Sequence, residues 1–199
     1  MRTARGRQRG FSLAELMFVL VVLAVVTAIT IPGTTARSDL RLQRAGQEVA
    51  AALEFARAET LRTGVSHGVR VQGGQRITVF RLDRSKSPPA ERYDVYHPVD
   101  KSLYDVDLSG NAYTQGTTAT GYFLFQRAGT AEQAASFDVN GEAMRGDDAR
   151  PLATGGVLLA NDSSILAVAV APLTGRTTVG TVTGAVKDPA NAFPAPVQP

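Results

Sequence analysis

Cysteine is absent from the 199 residues, and histidine occurs only at positions 67 and 97. The lack of cysteine excludes a disulfide scaffold, a thiolate metal site and a cysteine nucleophile. Two histidines are too few for a multi-histidine metal centre. The sequence also has no glycine-rich phosphate loop placed after a strand, and no Gly-x-Ser-x-Gly elbow. We therefore predict that the protein is not an enzyme and needs no cofactor or metal.

The positive charge of the chain is concentrated at its start. The formal net charge is +3, but Arg2, Arg5, Arg7 and Arg9 all lie in the first ten residues. Without those ten residues the count of basic residues falls from 21 to 17, against 18 acidic ones, a net charge of −1. The rest of the chain therefore has no general electrostatic attraction for nucleic acid, and we predict none as a partner.

Residues 11–31 form an apolar run of 21 residues that contains one charge, Glu15. As a helix this run would be about 31 Å long, close to the thickness of a bilayer core, which predicts a transmembrane helix with its basic start in the cytoplasm. A secretory signal peptide has a shorter apolar stretch and a small-residue cleavage site. A plain anchor leaves Glu15 unexplained, because a carboxylate in an apolar segment is costly and marks a functional residue.

The spacing of Glu15 suggests a partner for its charge. Cleavage between Gly10 and Phe11 would place a new amino group four residues before Glu15, which is one helical turn on the same face. In an assembly of parallel helices, Glu15 of one subunit could pair with the Phe11 amine of its neighbour. Glu15 is therefore the candidate assembly residue.

The segment from Arg9 to Leu16 resembles the processing site of type IV pilins and of the pseudopilins of type II secretion. A short basic leader (residues 1–10), Gly10, the aromatic Phe11, Glu15 and an apolar helix are all present, and Pro32 lies where that family often breaks its helix. The resemblance implies cleavage after Gly10 by a prepilin peptidase, methylation of the Phe11 amine, and assembly with other pilins or pseudopilins through the N-terminal helix. It also implies a single-pass protein of the bacterial inner membrane with its C-terminal head in the periplasm.

The sequence after residue 31 predicts a helix followed by antiparallel strands. Residues 32–63 contain the amphipathic helix Asp39–Arg62, which Thr63–Gly64 ends. The head, residues 64–187, has predicted strands at 65–71, 76–82, 93–96, 122–125, 137–139, 157–160, 165–170 and 177–182, with a hairpin turn at Asn140–Gly141. We interpret His67 as a partly buried strand residue, residues 83–121 as mostly loop, and residues 188–199 as a disordered tail.

Two further features of the head have open or ordinary interpretations. The tyrosines in and just after the 83–121 loop either contact another protein or pack the loop onto the body. The aspartate pairs Asp105/Asp107 and Asp147/Asp148 lack the oxygen-rich spacing of a calcium loop, so we interpret them as solvated turns.

The body also resembles the GspH/FimT family of minor pseudopilins and minor pilins. The resemblance rests on the helix end at 56–64, on the hairpin residues 137–141, and on residues 164–170 followed by 173–176. It implies an α+β fold, with one long N-terminal helix packed on two small antiparallel sheets.

Three functions follow from these resemblances. The first is a minor pseudopilin at or near the tip of a type II secretion pseudopilus, which would support protein export across the outer membrane. The second is a FimT- or FimU-like minor pilin that primes assembly of a type IV pilus. The third is DNA binding for uptake, which some FimT-like pilins achieve through a C-terminal Gly-Arg-x-Arg segment. Here the corresponding residues are Gly175-Arg176-Thr177-Thr178, so the second arginine is missing.

Overall fold

The structure of the chain is a computed structural model that describes residues 13–30, 33–125, 129–182 and 192–193, with residues 25–30 and 33–36 described by their backbone alone. The chain divides into two compact units, residues 1–37 and residues 38–199. The first unit contains helix α1 (Leu13–Thr30) and the start of helix α2 (Gly33–Thr63). The second contains the rest of α2 and all ten strands.

The two helices correspond to the two halves predicted from the sequence. Helix α1 ends at Thr30 and α2 begins at Gly33, while the predicted break at Pro32 lies outside the described residues. Helix α2 ends as predicted: Gly64 has a φ of 70° and its N–H donates to the carbonyl of Thr60 at 2.8 Å. Among the described residues, no helix combines the length and apolarity of a membrane span. The transmembrane interpretation of residues 11–31 stays a prediction.

The strands form two antiparallel sheets. The strands are β1 (His67–Gln72), β2 (Arg76–Asp83), β3 (Ala90–Arg92), β4 (Asp105–Asp107), β5 (Thr118–Leu124), β6 (Ala134–Phe137), β7 (Ala143–Met144), β8 (Thr154–Ala160), β9 (Ile165–Val170) and β10 (Thr177–Val182). The first sheet has the order β3-β2-β1-β6-β7, with β4 also paired to β2, and the second has the order β10-β9-β8-β5. The predicted α+β fold is confirmed.

The main core lies between α2 and the sheets. The apolar face of α2 is fully buried and carries Leu42, Ala45, Val49, Ala52, Leu53, Ala56 and the hydroxyl residue Thr60. It packs with residues from both sheets, among them Val69, Ile77, Phe123 and Val168. The opposite faces of the sheets carry smaller apolar clusters, one with Phe80 and Leu82, the other with Leu158 and Phe193.

The 83–121 segment holds more strand than the sequence predicts. The predicted strand 93–96 is wrong, because β3 lies at Ala90–Arg92 and Tyr96 makes only an isolated bridge to Leu103. Strand β4 is an addition, and β5 begins at Thr118 rather than Tyr122. Both β3 and β4 pair with β2 and are joined to it by ion pairs, Arg92–Asp83 at 2.9 Å and Arg76–Asp105 at 3.2 Å. Their charged sequences hide the apolar alternation that identifies a strand.

The structure shifts the predicted strand at 137–139 and shows which tyrosines pack on the body. The predicted strand 137–139 is shifted, because β6 ends at Phe137 and Val139 lies in the turn that closes the hairpin at Gly141. Tyr104 packs on Phe55 of α2 with ring centroids 4.6 Å apart, whereas Tyr96 and Tyr113 are exposed.

The tail has one described aromatic residue, Phe193. Phe193 is 6% exposed and stacks on Tyr122, with centroids 5.7 Å apart. This stacking adds one aromatic ring to the apolar face of the sheet, and the disorder of residues 188–199 stays a prediction. Apart from Ala192 and Phe193, the tail from residue 188 lies outside the described residues.

Candidate functional site

The predicted processing residues stand just before the described part of the chain. Gly10 and Phe11 lie outside the described residues, and Leu13 begins helix α1. Glu15 lies in the first turn of this helix. A carboxylate there is favoured by the partial positive charge at a helix N-terminus. The position of Glu15 is thus compatible with a role at the start of α1, and its pairing with the Phe11 amine stays a prediction.

The described side chains of helix α1, those of residues 13–24, are mostly apolar and exposed. Nine large apolar residues between positions 13 and 23 are exposed in the isolated chain, with Leu13 81% and Phe18 70% exposed. Glu15 is the one charged residue of the helix. A helix that is apolar all round is stable in water only when another surface covers it. Helix α1 is therefore suited to packing against other apolar helices or lipid.

Helix α2 is fastened to the C-terminal sheet at two places. Near its start, the Asn161 side-chain amide donates to the carbonyl of Ser38 at 3.0 Å, and the Ser164 hydroxyl donates to Asp39 at 2.9 Å. Further along, Glu54 accepts hydrogen bonds from the Thr177 N–H at 2.9 Å and from the Thr177 hydroxyl at 2.7 Å. These contacts fix α2 along the sheet, so a force on the helix is passed to the head.

The Gly175–Thr178 segment contains the end of a turn, at Gly175 and Arg176, and the first two residues of β10. Gly175 has a φ of 60° and lies against Gly141, where an added Cβ would come within 2.1 Å of the Gly141 carbonyl oxygen. Thr177 is engaged by Glu54, and Arg176 is the only cation of the segment. Sequence reasoning missed Glu54, because the contact joins residues 123 positions apart.

The two histidines lie in different environments, one in a buried strand and one in an exposed turn. His67 is buried in β1, and its Nδ1 lies 2.7 Å from the carbonyl oxygen of Val65. Burial lowers the pKa of His67, which favours the neutral ring. His67 is a strand residue as predicted, but it is buried rather than partly buried. His97 lies 3.4 Å from Asp100 in an exposed turn.

An open acidic cleft of about 720 Å³ lies between α2 and the 97–112 segment. Glu48, Asp105 and Asp107 contribute carboxylates to its lining. Burial raises the pKa of Glu48 and of Asp105, whereas hydrogen bonds from Gly110 and Ser109 lower the pKa of Asp107. Within the described ranges, no three acidic or histidine side chains are grouped closely enough to hold a metal ion.

Comparison with known families identifies the N-terminal segment. Residues 5–31 match the family model of the prokaryotic N-terminal methylation motif. This match confirms the predicted resemblance to type IV pilins and pseudopilins. Such proteins are structural subunits without enzymatic activity, in agreement with the prediction that the chain is not an enzyme. No curated protein sequence matches the chain significantly.

Solved structures of minor pseudopilins and minor pilins are similar to the chain. A structure of the minor pseudopilin EpsH from the type II secretion system of Vibrio cholerae is 14% identical, with 71% of this chain and 96% of that chain covered and a TM-score of 0.45. A crystal structure of the type IV minor pilin FimU of Pseudomonas aeruginosa strain PAO1 is also 14% identical, with 81% of this chain and 97% of that chain covered and a TM-score of 0.44.

Proposed function

We propose that the protein is a minor pseudopilin of a type II secretion system, a structural subunit at or near the pseudopilus tip that supports protein export across the outer membrane. The observation that carries this proposal is the methylation motif at residues 5–31, which includes helix α1 with its exposed apolar side chains. Pilins and pseudopilins share this motif, so a minor pilin of a type IV pilus is the alternative.

The proposal assigns three roles to the N-terminal segment. A prepilin peptidase cleaves between Gly10 and Phe11, the new Phe11 amine is methylated, and Glu15 pairs with the amine of a neighbouring subunit. The apolar helix holds the protein in the inner membrane before assembly, with the head in the periplasm. Each role follows from the sequence at these positions and from the matched motif.

DNA uptake is a weaker alternative for this chain. The segment that would contact phosphate has one arginine, and the backbone and hydroxyl of Thr177 are already engaged by Glu54. Phosphate contacts by several cations supply most of the non-specific affinity of a DNA-binding protein. A mature chain with a net charge of −1 therefore has little means to hold DNA.

The proposal is tested by deleting the gene and measuring two processes in the same strain. Loss of exported proteins from the medium with normal surface pili supports a pseudopilin. Loss of pili with normal protein export assigns the chain to a type IV pilus instead. The wild-type gene and a variant with a bulky residue in place of Gly10 are returned in parallel, and only the wild type is expected to restore the lost process.

A further inference from the structure

Strand β10 leaves one backbone edge unpaired. The Ala171 N–H donates to the Arg176 carbonyl, so the hydrogen-bonded positions of β10 facing β9 are Thr178, Gly180 and Val182. Thr177, Val179 and Thr181 then direct their N–H and C=O groups to the outer edge. Glu54 takes the Thr177 N–H, but no described residue hydrogen-bonds to the outward backbone groups of Val179 or Thr181.

The opposite edge of the same sheet is closed. On β5, the Ala119 N–H donates to the Gly74 carbonyl, the Gly121 N–H donates to the side chain of Gln133, and Phe123 exchanges two backbone hydrogen bonds with Glu132. Every outward N–H of the central part of β5 is therefore satisfied. Among the described residues, the fold therefore covers one edge of this sheet and leaves the other without hydrogen-bond partners beyond Thr177.

The outer strands of the first sheet are also unsuitable for pairing. Strands β3 and β4 have three residues each and carry charged side chains, and β7 has two residues whose neighbourhood is closed by a bond from Leu152 to Ala143. Strand β10 has six residues, Thr-Thr-Val-Gly-Thr-Val, with no charge and no proline. Long, neutral edges without proline are the ones that accept a further strand.

We propose that the outer edge of β10 at Val179–Val182 is a docking site for an extended, uncharged segment of a different filament subunit, which adds to the sheet as a fifth strand. The side chain of Val179 lies beside Gly46 of α2, where even an added Cβ would come within 3.3 Å of it. The absence of a side chain at Gly46 lets Val179 and Leu166 pack directly against helix α2, which holds this end of the sheet in place. An uncharged partner strand places no desolvated charge opposite the threonine and valine side chains.

A second copy of the chain does not fit this edge in a filament. Helix α2 runs from the 161–164 turn to the 174–177 turn, in the direction of β9 and opposite to β10. Two copies paired symmetrically through β10 would have antiparallel α2 helices, while subunits of one filament point their helices the same way. This step rests on the proposed function.

The test uses the full chain, co-expressed separately with each pilin-like protein encoded by the same cell. We expect the wild type to co-purify with at least one of them, and Val179→Pro to weaken that binding about tenfold, because proline removes an outward donor. The matched control is Val139→Pro, which changes an exposed turn position that donates no hydrogen bond to a described residue. Thr181→Lys adds a charge to the edge without altering the backbone, and we expect the same loss.

Residue-resolved hydrogen exchange distinguishes strand addition from other contacts. In the complex, the amides of Val179 and Thr181 should gain protection, while those of Thr178 and Gly180 are protected with and without the partner. Equal co-purification of Val179→Pro, Thr181→Lys and wild type, at unchanged melting temperatures, would overturn the docking site and leave the proposed function standing. A wild type that binds none of the pilin-like proteins would overturn the proposed function itself. A wild-type homodimer abolished by Val179→Pro would overturn the choice of partner.

Discussion

Glu54 is the side chain that joins the last strand to the helix. It accepts two hydrogen bonds from Thr177, one from the backbone and one from the hydroxyl. Glu54→Ala leaves both donors without their acceptor, so we expect the free energy of unfolding to fall by about 1–3 kcal/mol in urea titrations. Glu54→Gln keeps an accepting oxygen and should lose less. Glu59→Ala is the control, because Glu59 pairs with the largely exposed Arg62, and a loss as large as that of Glu54→Ala would contradict the assignment.

Glu15 is expected to act only after processing. Glu15→Ala should be cleaved after Gly10 and held in the membrane, but should fail to enter the assembly, because the neighbouring amine would stay buried without its partner at a cost of about 3–5 kcal/mol. Glu15→Asp should be intermediate, since its shorter side chain must stretch to the same amine. Intact-mass measurement reports cleavage, and crosslinking to other pilins reports assembly. Normal crosslinking of Glu15→Ala would show that this subunit does without the pair.

Residues that act over short sequence distances could be predicted, and those that act over long distances could not. Glu15 stands out because one charge interrupts an apolar run and lies one turn from the expected new N-terminus. Glu54 looks like any polar residue on an amphipathic helix, since its partner follows 123 residues later. Only the tertiary fold brings the two together.

The alanine-rich face of α2 sets how closely the helix approaches the sheets. Ala45, Ala52 and Ala56 are fully buried there. Ala52→Leu would force extra atoms into a packed interface, so we expect a loss of about 1–3 kcal/mol in stability. Ala58→Leu makes the same change on the exposed side of α2 and should have little effect. Similar melting temperatures for the two variants would show that the interface tolerates the added volume.

The acidic cleft beside α2 gives the head a pH-dependent stability. Burial raises the pKa of Glu48, so the folded state binds its proton more tightly than the unfolded chain does. Ionised Glu48 therefore disfavours the folded state, and it does so increasingly as the pH rises through the folded-state pKa of Glu48. Glu48→Gln should therefore be more stable than wild type at pH 7, and its advantage over wild type should grow between pH 4 and pH 7. Parallel stability curves for the two proteins would contradict this role.

Elements with apolar runs, or uncharged stretches after a clear turn, could be predicted from the sequence, and short charged ones could not. The buried face of α2 and the strands β9 and β10 were expected at the positions where they occur. Strands β3 and β4 could not be predicted, because they are short and charged and are held to β2 by ion pairs as well as backbone hydrogen bonds. Their formation depends on β2 already being in place.

At the scale of the whole molecule, the head carries its own core. Residues 38–199 form one compact unit, in which the C-terminal half of α2 covers the sheets, while the exposed apolar residues of α1 belong to the other unit. Phe193 comes from the far end of the chain and packs with Leu158 and Ala167 in a second apolar cluster on the opposite face of the sheet. The head should therefore fold without α1, provided that the C-terminal tail is kept.

A fragment of residues 38–199 is expected to be soluble and monomeric at low micromolar concentration, because removing α1 removes its exposed apolar surface. Its circular dichroism should combine helix and strand signals, since it retains most of α2 and every strand. Phe193→Ala in the same fragment should lower the free energy of unfolding, on the order of 3 kcal/mol, through loss of the buried ring. Leu173→Ala is the control, since Leu173 is exposed in a turn. Precipitation of the fragment or a mainly helical spectrum would contradict an independent head, and equal stability of the two variants would place Phe193 outside the core.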